Sequence, residues 1–126
     1  MKVGIDLIDV SRFENMGEKT KARLFTESEI AYCTARKNFA QHFAGHFAAK
    51  EAVMKVLGAG LDEIPFKDIE VCHNESGAPY VILSNIALAR AQSLGLDVER
   101  FEISISHTAT QATAICLAEA IGANKF

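Results

Sequence analysis

The sequence contains no tryptophan, only two prolines and three cysteines, and no long run of apolar residues. A membrane-spanning helix needs roughly 18 consecutive apolar residues, so we expect no membrane anchor and no signal peptide. Cys33, Cys72 and Cys116 are odd in number, widely spaced and without a C-x-x-C pair. This pattern argues against a disulfide framework or a zinc knuckle and is typical of reduced thiols, so we expect a cytoplasmic protein.

An excess of positive charge is also missing. The chain has 16 acidic and 13 basic residues and a net charge of −3. No general positive field therefore attracts nucleic acid, and we expect no nucleic-acid partner. The local exception is a basic segment that comprises Lys19, Lys21 and Arg23, with Arg12 before it. Such a run is usually a solvated surface, but it is also suited to an acidic partner.

The residues that are present predict one domain over residues 1–126, with both helices and strands. Hydrophobic residues make up 49% of the chain, enough for one core, and no repeat or linker divides it. Apolar and alternating runs predict strands over 3–8, 68–72, 80–83, 101–105 and 112–118, with a turn at 74–77 and frayed residues at 124–126. Caps and glycines predict four helices. A short one begins at about Ser11, and a second begins at the capping box Thr26–Glu29 and ends near Arg36. A long central helix runs from Asn38 to Leu57 and stops at Gly58 and Gly60, and the last runs from Ser84 or Asn85 to Leu94.

The central helix carries an apolar stripe that we interpret as core. Lys50 lies within this stripe, so its ammonium must extend to solvent, find a partner or face a polar cleft. The stripe consists of Phe39, Phe43, Phe47, Met54 and Leu57.

Glu51 and Lys55 lie one turn apart on the same helix, and residues four apart share a helix face. Small residues beside them, Ala40, Ala44 and Ala48, allow another backbone or a ligand to approach closely. A carboxylate that holds a divalent cation, with a lysine one turn away, suits a phosphate ester. The simpler interpretation is an ordinary surface ion pair.

Three segments, in order, resemble the 4'-phosphopantetheinyl transferases, and most closely their short holo-[acyl-carrier-protein] synthase type. They are Gly4–Phe13, Phe47–Lys55 and Ser104–Thr108. The resemblance implies an α+β fold, with a small, mostly antiparallel sheet wrapped by the long central helix. It also implies an enzyme of fatty acid biosynthesis that moves the phosphopantetheine arm of coenzyme A to a serine of an acyl carrier protein and releases 3',5'-ADP.

The same resemblance implies the roles of individual residues. Asp6 and Glu51 match the family's two acidic ligands of Mg²⁺, and Lys55 matches its active-site lysine. The base that accepts the serine proton is left open between Glu51 and a metal-bound water. His107 and Thr108 match the turn that contacts the 3'-phosphate and ribose of coenzyme A.

Two further positions in the central segment are candidate coenzyme A contacts, namely Lys50 and His46. Many relatives have arginine at the position of His46, and many have a basic residue at the position of Ala78, between Gly77 and Pro79. Both replacements remove positive charge that could meet phosphate. They put the details of coenzyme A affinity in doubt more than the chemistry.

Assembly and partner are implied as well. The short family type is a homotrimer with active sites at its interfaces, so His107 and Thr108 would serve the Asp6 and Glu51 of a neighbouring subunit. The carrier protein is acidic, and its expected docking residues are Arg12, Lys19, Lys21 and Arg23.

Other interpretations stay open at this point. The chain could be a non-catalytic relative that only binds a carrier protein, or a Mg²⁺-dependent phosphohydrolase that releases free phosphopantetheine. Asp9 competes with Asp6 as a metal ligand, although an N-cap role suits it better. His42 and His46 have a zinc-binding spacing, but no third ligand is evident.

Overall fold

The computed structural model describes residues 1–58 and 63–122. Two 3-10 helices, Val10–Phe13 and Phe66–Asp68, lie between the longer elements. The predicted α+β class is confirmed. The longer elements in the described part of the chain are β1 (Lys2–Asp9), α1 (Glu18–Leu24), α2 (Glu27–Thr34), α3 (Phe39–Leu57), β2 (Ile69–His73), β3 (Pro79–Leu83), α4 (Asn85–Ser93), β4 (Leu96–His107) and β5 (Gln111–Ala120).

Two antiparallel sheets form from these strands. β5 lies in the centre of a three-stranded sheet with β1 and β4 on its two sides, and β2 pairs with β3 in a separate hairpin. In the larger sheet, Asp6 on β1 and Ile105 on β4 are both aligned with Ala114 of β5. Since side chains alternate along a strand, Asp6 faces the same side as the buried Gly4 and Ile8. That side is covered by α3.

α3 packs closely on the sheet because small residues line its inner face. Ala44, Ala48 and Ala52 are fully buried there. A Cβ atom at Gly4 would collide with the carbonyl oxygen of Ala52, so only glycine lets β1 approach the helix this closely. Gly4 therefore sets the distance between β1 and the residues of α3 that follow Ala52.

The ends of α3 and its apolar stripe largely follow the prediction. Gly58 ends the helix in the left-handed conformation, with a φ of 66°. Phe43, Phe47, Met54 and Leu57 are buried. The prediction was wrong for Phe39, which is 43% exposed because it occupies the first turn, beyond the edge of the core.

Two local features differ from the sequence-based expectation. α1 was not predicted as a helix, since residues 18–24 showed only a basic run. The cap of α4 comes from a distant residue, because the Asp68 carboxylate accepts from the amides of Ile86 (2.9 Å) and Ala87 (3.4 Å). Ser84 occupies the N-cap position without a side-chain bond to the helix.

Within the described residues, no helix is long and apolar enough to cross a membrane. The predicted stop at Gly60 and the predicted fraying at 124–126 lie outside the described residues.

Candidate active site

The close approach of β1 to α3 brings Asp6 next to Lys55. The Lys55 ammonium donates to the backbone oxygen of Ile5 (2.7 Å) and to Asp6 Oδ1 (3.4 Å). The backbone oxygen of Asp6 accepts from the Thr113 hydroxyl (2.7 Å), which ties it to β5. Lys55 keeps 54% of its side chain exposed, so its charge also faces solvent. Both residues are thus tied to the backbone of the sheet, and Lys55 stays open to solvent whereas Asp6 is mostly buried.

Glu51 and Asp6 form what we call the acidic pair. Burial raises the pKa of the Glu51 carboxyl, and the charge of Asp6 raises it further. The charges of Lys55 and Arg12 act in the opposite direction and offset part of this shift. A carboxyl group whose ionisation is opposed by a neighbouring carboxylate marks a place where a cation is favoured.

The acidic pair fits a magnesium ion. Asp6 Oδ2 is buried and finds no hydrogen-bond partner among the residues that the structure describes. Such an atom is costly unless a ligand satisfies it. In residues 1–58 and 63–122 there is no cluster of three or more His, Cys, Asp or Glu side chains arranged to hold a metal. Mg²⁺ suits this donor set because it usually takes one or two carboxylates together with substrate phosphates and water.

The structure separates Lys50 from the acidic pair. Lys50 is 0% exposed and donates to Glu29 Oε1 (2.6 Å), to the Ile69 oxygen (2.7 Å) and to the Phe66 oxygen (3.1 Å). An ammonium has three N–H bonds, and all three are used inside the core. This placement argues against the predicted contact between Lys50 and coenzyme A.

Glu29, Lys50 and His46 form what we call the buried network. His46 Nδ1 lies 3.1 Å from Glu29 Oε2, and the amide of Thr26 donates to Glu29 Oε1 (3.1 Å). Burial opposes the ionisation of Glu29, but its bonds with His46 and Lys50 prevail and lower the pKa of this carboxyl. Sequence reasoning saw Glu29 only as part of a capping box, and nothing in the capping pattern indicates a buried ion pair.

His107 lies at the other end of α3. It lines a cavity of about 180 Å³ together with His42, His46 and His73, which we call the histidine cavity. His42 and His107 meet edge to face, with ring centroids 5.2 Å apart. The structure thus brings His46 and His107 to one cavity. His73 was missed by sequence reasoning, because a single histidine at the end of a strand carries no signal.

Thr108 shapes the turn after His107. Its hydroxyl accepts from the amides of Thr110 (3.2 Å) and Gln111 (3.1 Å), so it fixes the link between β4 and β5. His107 and Thr108 also line a second, smaller cavity of about 140 Å³ beside Leu7 of β1.

Within one chain, the histidine cavity and the acidic pair lie apart. Nine residues separate His42 from Glu51 on α3, which at 1.5 Å and 3.6 residues per turn is about 13 Å along the axis and half a turn around it. His42 and Glu51 therefore project from opposite sides of α3, and neither the histidine cavity nor the smaller cavity beside Leu7 is lined by Asp6 or Glu51. Asp9, the alternative metal ligand, is exposed at the start of the 3-10 helix and makes no side-chain cap bond.

Two of the four predicted docking residues share a groove. A cavity of about 530 Å³, which we call the basic groove, is lined by Arg12, Thr20, Arg23, Leu24, Phe47, Pro65 and Phe66. The guanidinium of Arg12 lies 5.4 Å from the centre of the Phe47 ring. Lys21 instead pairs with Glu18 (3.3 Å), and Lys19 is exposed on α1 without lining the groove.

The sequence is similar to a protein family and to proteins of known function. Residues 2–105 match the family model described as the 4'-phosphopantetheinyl transferase superfamily. The holo-[acyl-carrier-protein] synthase of Thermoanaerobacter sp. (strain X514) is 43% identical over 126 residues, which covers 98% of this chain and 88% of that protein.

Solved structures give the same result. The holo-(acyl-carrier-protein) synthase of Bacillus anthracis in complex with CoA (3',5'-ADP) is 34% identical, with a TM-score of 0.77, over 94% of this chain and 96% of that one. The holo-[acyl-carrier-protein] synthase of Helicobacter pylori in complex with coenzyme A is 30% identical, with a TM-score of 0.77, over 93% of this chain and 99% of that one.

Proposed function

The chain belongs to the 4'-phosphopantetheinyl transferase superfamily, and from this premise we infer that it is a holo-[acyl-carrier-protein] synthase. It transfers the 4'-phosphopantetheine group of coenzyme A to a serine of an apo acyl carrier protein. The serine oxygen forms a bond to the phosphorus next to pantetheine, the bond from that phosphorus to 3',5'-ADP breaks, and the serine proton leaves to a base. Close similarity to such synthases over nearly the whole chain carries this conclusion.

We propose that Asp6 and Glu51 hold the Mg²⁺ ion that this reaction uses. Two observations support this assignment: Asp6 Oδ2 lacks a hydrogen-bond partner among the described residues, and the charge of Asp6 raises the pKa of Glu51. When bound, Mg²⁺ neutralises charge on the pyrophosphate of coenzyme A and makes 3',5'-ADP a better leaving group.

Lys55 is the proposed electrostatic partner of the transferred phosphate. Its bonds to the Ile5 oxygen and Asp6 hold the ammonium beside the acidic pair, while half of the side chain stays exposed. A positive charge positioned before the reaction stabilises charge that develops on the phosphate oxygens. Lys50, next to the acidic pair in sequence, has no N–H bond left for this task.

His107 and Thr108 are the proposed contacts for the nucleotide end of coenzyme A. They lie on β4 and the turn after it, two strands away from Asp6 in the larger sheet, and we propose that they serve the acidic pair of a second subunit. The outer face of the larger sheet supports this assembly, because Val3, Ile5 and Leu7 are 59% to 62% exposed there. An exposed apolar face of this kind marks an interface, and we propose a homotrimer with a site at each interface.

The basic groove is the proposed docking site of the carrier protein. Arg12 and Arg23 offer positive charge at its rim, and Phe47, Phe66 and Leu24 offer an apolar floor. An acidic helix with a few apolar side chains matches both features. The groove adjoins the acidic pair, since the charge of Arg12 acts on Glu51.

A cytoplasmic location is the final part of the proposal. Cys33, Cys72 and Cys116 are all free, as is usual in reducing compartments.

Incubation of the purified protein with coenzyme A, Mg²⁺ and an apo carrier protein tests the function. We expect the carrier mass to rise by one phosphopantetheine per molecule and 3',5'-ADP to appear in equal amount. A carrier whose serine is replaced by alanine is the control and should stay unmodified. Release of free phosphopantetheine without carrier modification would instead indicate a phosphohydrolase, and binding without either product would indicate a non-catalytic relative.

A further inference from the structure

The four histidines of this chain gather at one place. His42, His46, His73 and His107 all line the histidine cavity, and Tyr32 lines it with them. The Tyr32 ring stacks on His73 with centroids 3.9 Å apart and planes 6° apart, and on His46 with centroids 5.5 Å apart. The rings of His46 and His73 are therefore held in fixed orientations.

One nitrogen of each of these two rings has an acceptor as its partner. His46 Nδ1 lies 3.1 Å from Glu29 Oε2, and His73 Nδ1 lies 3.3 Å from the carbonyl oxygen of Gly77. A carboxylate and a carbonyl oxygen accept hydrogen bonds and cannot donate them. Both Nδ1 atoms must therefore carry hydrogen.

The other two nitrogens face each other. His46 Nε2 lies 3.0 Å from His73 Nε2. In a neutral imidazole only one nitrogen carries hydrogen, so two neutral rings would place two lone pairs in contact. One additional proton resolves this conflict, because it makes one Nε2 a donor and the other its acceptor.

The ring arrangement fits a hydrogen bond better than a shared metal ion. The two ring centroids are 5.2 Å apart and the planes differ by 24°. The distance between the centroids exceeds the distance between the two Nε2 atoms by about the radii of the two rings. The two Nε2 atoms therefore lie close to the line that joins the ring centres, and each points directly at the other. If both rings were bound to one metal ion, their Nε2 lone pairs would instead point at the ion, which would lie to one side of the line between the two nitrogens.

We propose that His46 and His73 share one additional proton between their Nε2 atoms, and that this proton fastens the β2–β3 hairpin to the central helix. Its loss as the pH rises would release the hairpin at the wall of the histidine cavity. The expected effect on coenzyme A affinity rests on the proposed function, whereas the shared proton itself does not.

The charge of the shared proton is better accommodated on the His46 side, because the Nδ1 partner of His46 is a carboxylate and that of His73 is a neutral carbonyl oxygen. Burial has the largest effect on the pKa of the His73 imidazole and lowers it, while the bond to Gly77 raises it in part. The charges of His46 and Arg36 lower this pKa further, against a small opposite effect of Glu29. His46 is then an imidazolium that donates to both Glu29 and His73. The charges of Glu29 and Lys50 offset each other at 2.6 Å, so the shared proton leaves a net positive charge at the cavity. The other titratable side chains on the packed elements are Tyr32 and Cys33 on α2, His42 on α3, Glu70 and Cys72 on β2, and His107 on β4.

A nitrogen–nitrogen coupling across the hydrogen bond tests the shared proton directly. In uniformly ¹⁵N-labelled protein, we expect a coupling between His46 Nε2 and His73 Nε2 at about pH 6 that disappears toward about pH 9, above the range in which histidine titrates. His73→Phe keeps a ring on Tyr32 and should abolish the coupling. His42→Asn, in the same cavity but outside the pair, should retain it.

Two results would overturn the shared proton. One is the absence of any coupling at about pH 6 in folded protein. The other is a coupling that appears only after a chelator is added, because a metal ion would then have held the two nitrogens.

Amide hydrogen exchange tests the release of the hairpin. For residues 74–78, we expect protection factors to fall about tenfold between about pH 6 and pH 9, as for the loss of a hydrogen bond to a charged group. In His46→Arg, a permanent guanidinium can donate to both Glu29 and His73, so protection should stay constant. An equal fall in both proteins would overturn the release.

Coenzyme A titration at the same two pH values links the pair to the enzyme. We expect affinity to fall with pH in the natural protein and to fall less in His46→Arg. Equal falls would separate the pair from the coenzyme A site. Absence of binding at every pH would contradict the proposed function, while the coupling and exchange measurements would still decide the shared proton.

Discussion

Lys50 and Glu51 are neighbours in the chain, yet they lie in two opposite kinds of charged region. In the buried network, Lys50 is 0% exposed and each of its N–H bonds meets an acceptor. In the acidic pair, Glu51 is half-buried beside Asp6, whose Oδ2 has no partner among the described residues. One region is complete without a ligand, and the other is not.

This difference separates structural charge from functional charge. A buried ion is tolerated when its bonds are completed inside the protein, and removing one partner then costs stability. A half-buried carboxylate that lacks a partner pays a desolvation cost that a bound cation would relieve. Substitutions in the buried network should therefore change unfolding, and substitutions in the acidic pair should change catalysis.

The largest expected effect is on stability, in Lys50→Met. Methionine keeps the length of the side chain but removes the ammonium that lies 2.6 Å from Glu29 Oε1, which should lower the free energy of unfolding by about 3–5 kcal/mol. Urea denaturation measures this change. In the double variant Glu29→Gln/Lys50→Met the unpaired charge is gone, so part of the stability should return. A loss below about 1 kcal/mol in the single variant would contradict the structural role of Lys50.

The next effect is on catalysis, in Glu51→Gln. Glutamine keeps the size of the side chain but removes the charge that would hold Mg²⁺, so kcat/KM for transfer should fall at least about a hundredfold. The melting temperature should change little, because the Glu51 side chain makes no hydrogen bond within residues 1–58 and 63–122. Glu27→Gln, an exposed residue of α2, is the matched control and should leave transfer unchanged. Near-normal turnover of Glu51→Gln at saturating Mg²⁺ would remove the metal assignment.

The sequence predicted the acidic pair better than the buried network, and the reason is physical. Asp6, Glu51 and Lys55 lie in segments that resemble the family's motifs, and the resemblance predicted that these residues act together; the structure brings Asp6 beside Lys55 and Glu51. The partners of Lys50 come from α2 and from the chain around β2, so no local pattern shows them. The position of Lys50 within an apolar stripe indicated that its ammonium must reach solvent, a partner or a polar cleft. Only the tertiary structure identifies Glu29 as the partner.

The same limit explains the other differences. Asp68 caps α4 from 17 residues before its first residue, so the Ser84 or Asn85 cap was a reasonable but local choice. The helix α1 was hidden by its short length and its charged sequence. The four histidines come from α3, β2 and β4. They meet only because the fold brings these three elements together, which spacing along the chain cannot reveal.

A third prediction tests whether the two ends of α3 act together across an interface. Glu51→Gln and His107→Ala should each be strongly impaired alone. When the two are mixed and allowed to exchange subunits, about a quarter of the interface sites should combine an intact Glu51 with an intact His107 by random assortment in a ring. Recovery of about that share of the natural activity is the expected result. Verified mixed trimers without recovered activity would assign both residues to the site of one subunit.

The smallest expected effect concerns the basic segment, where the contrast between complete and incomplete groups applies again. Lys21 is already paired with Glu18, whereas Arg23 is exposed at the basic groove. Arg23→Glu should raise KM for the carrier protein about tenfold and weaken its salt dependence, because charges at an interface rim steer association and are screened by salt. Coenzyme A affinity should not change.

Arg23 is a cleaner test than Arg12, since the charge of Arg12 also acts on Glu51. Lys19→Glu makes the same charge change on the same helix outside the groove, and its smaller effect would assign docking to the groove. Equal effects of the two reversals would assign it to the general field of α1, and no effect of either would leave these side chains as solvated surface.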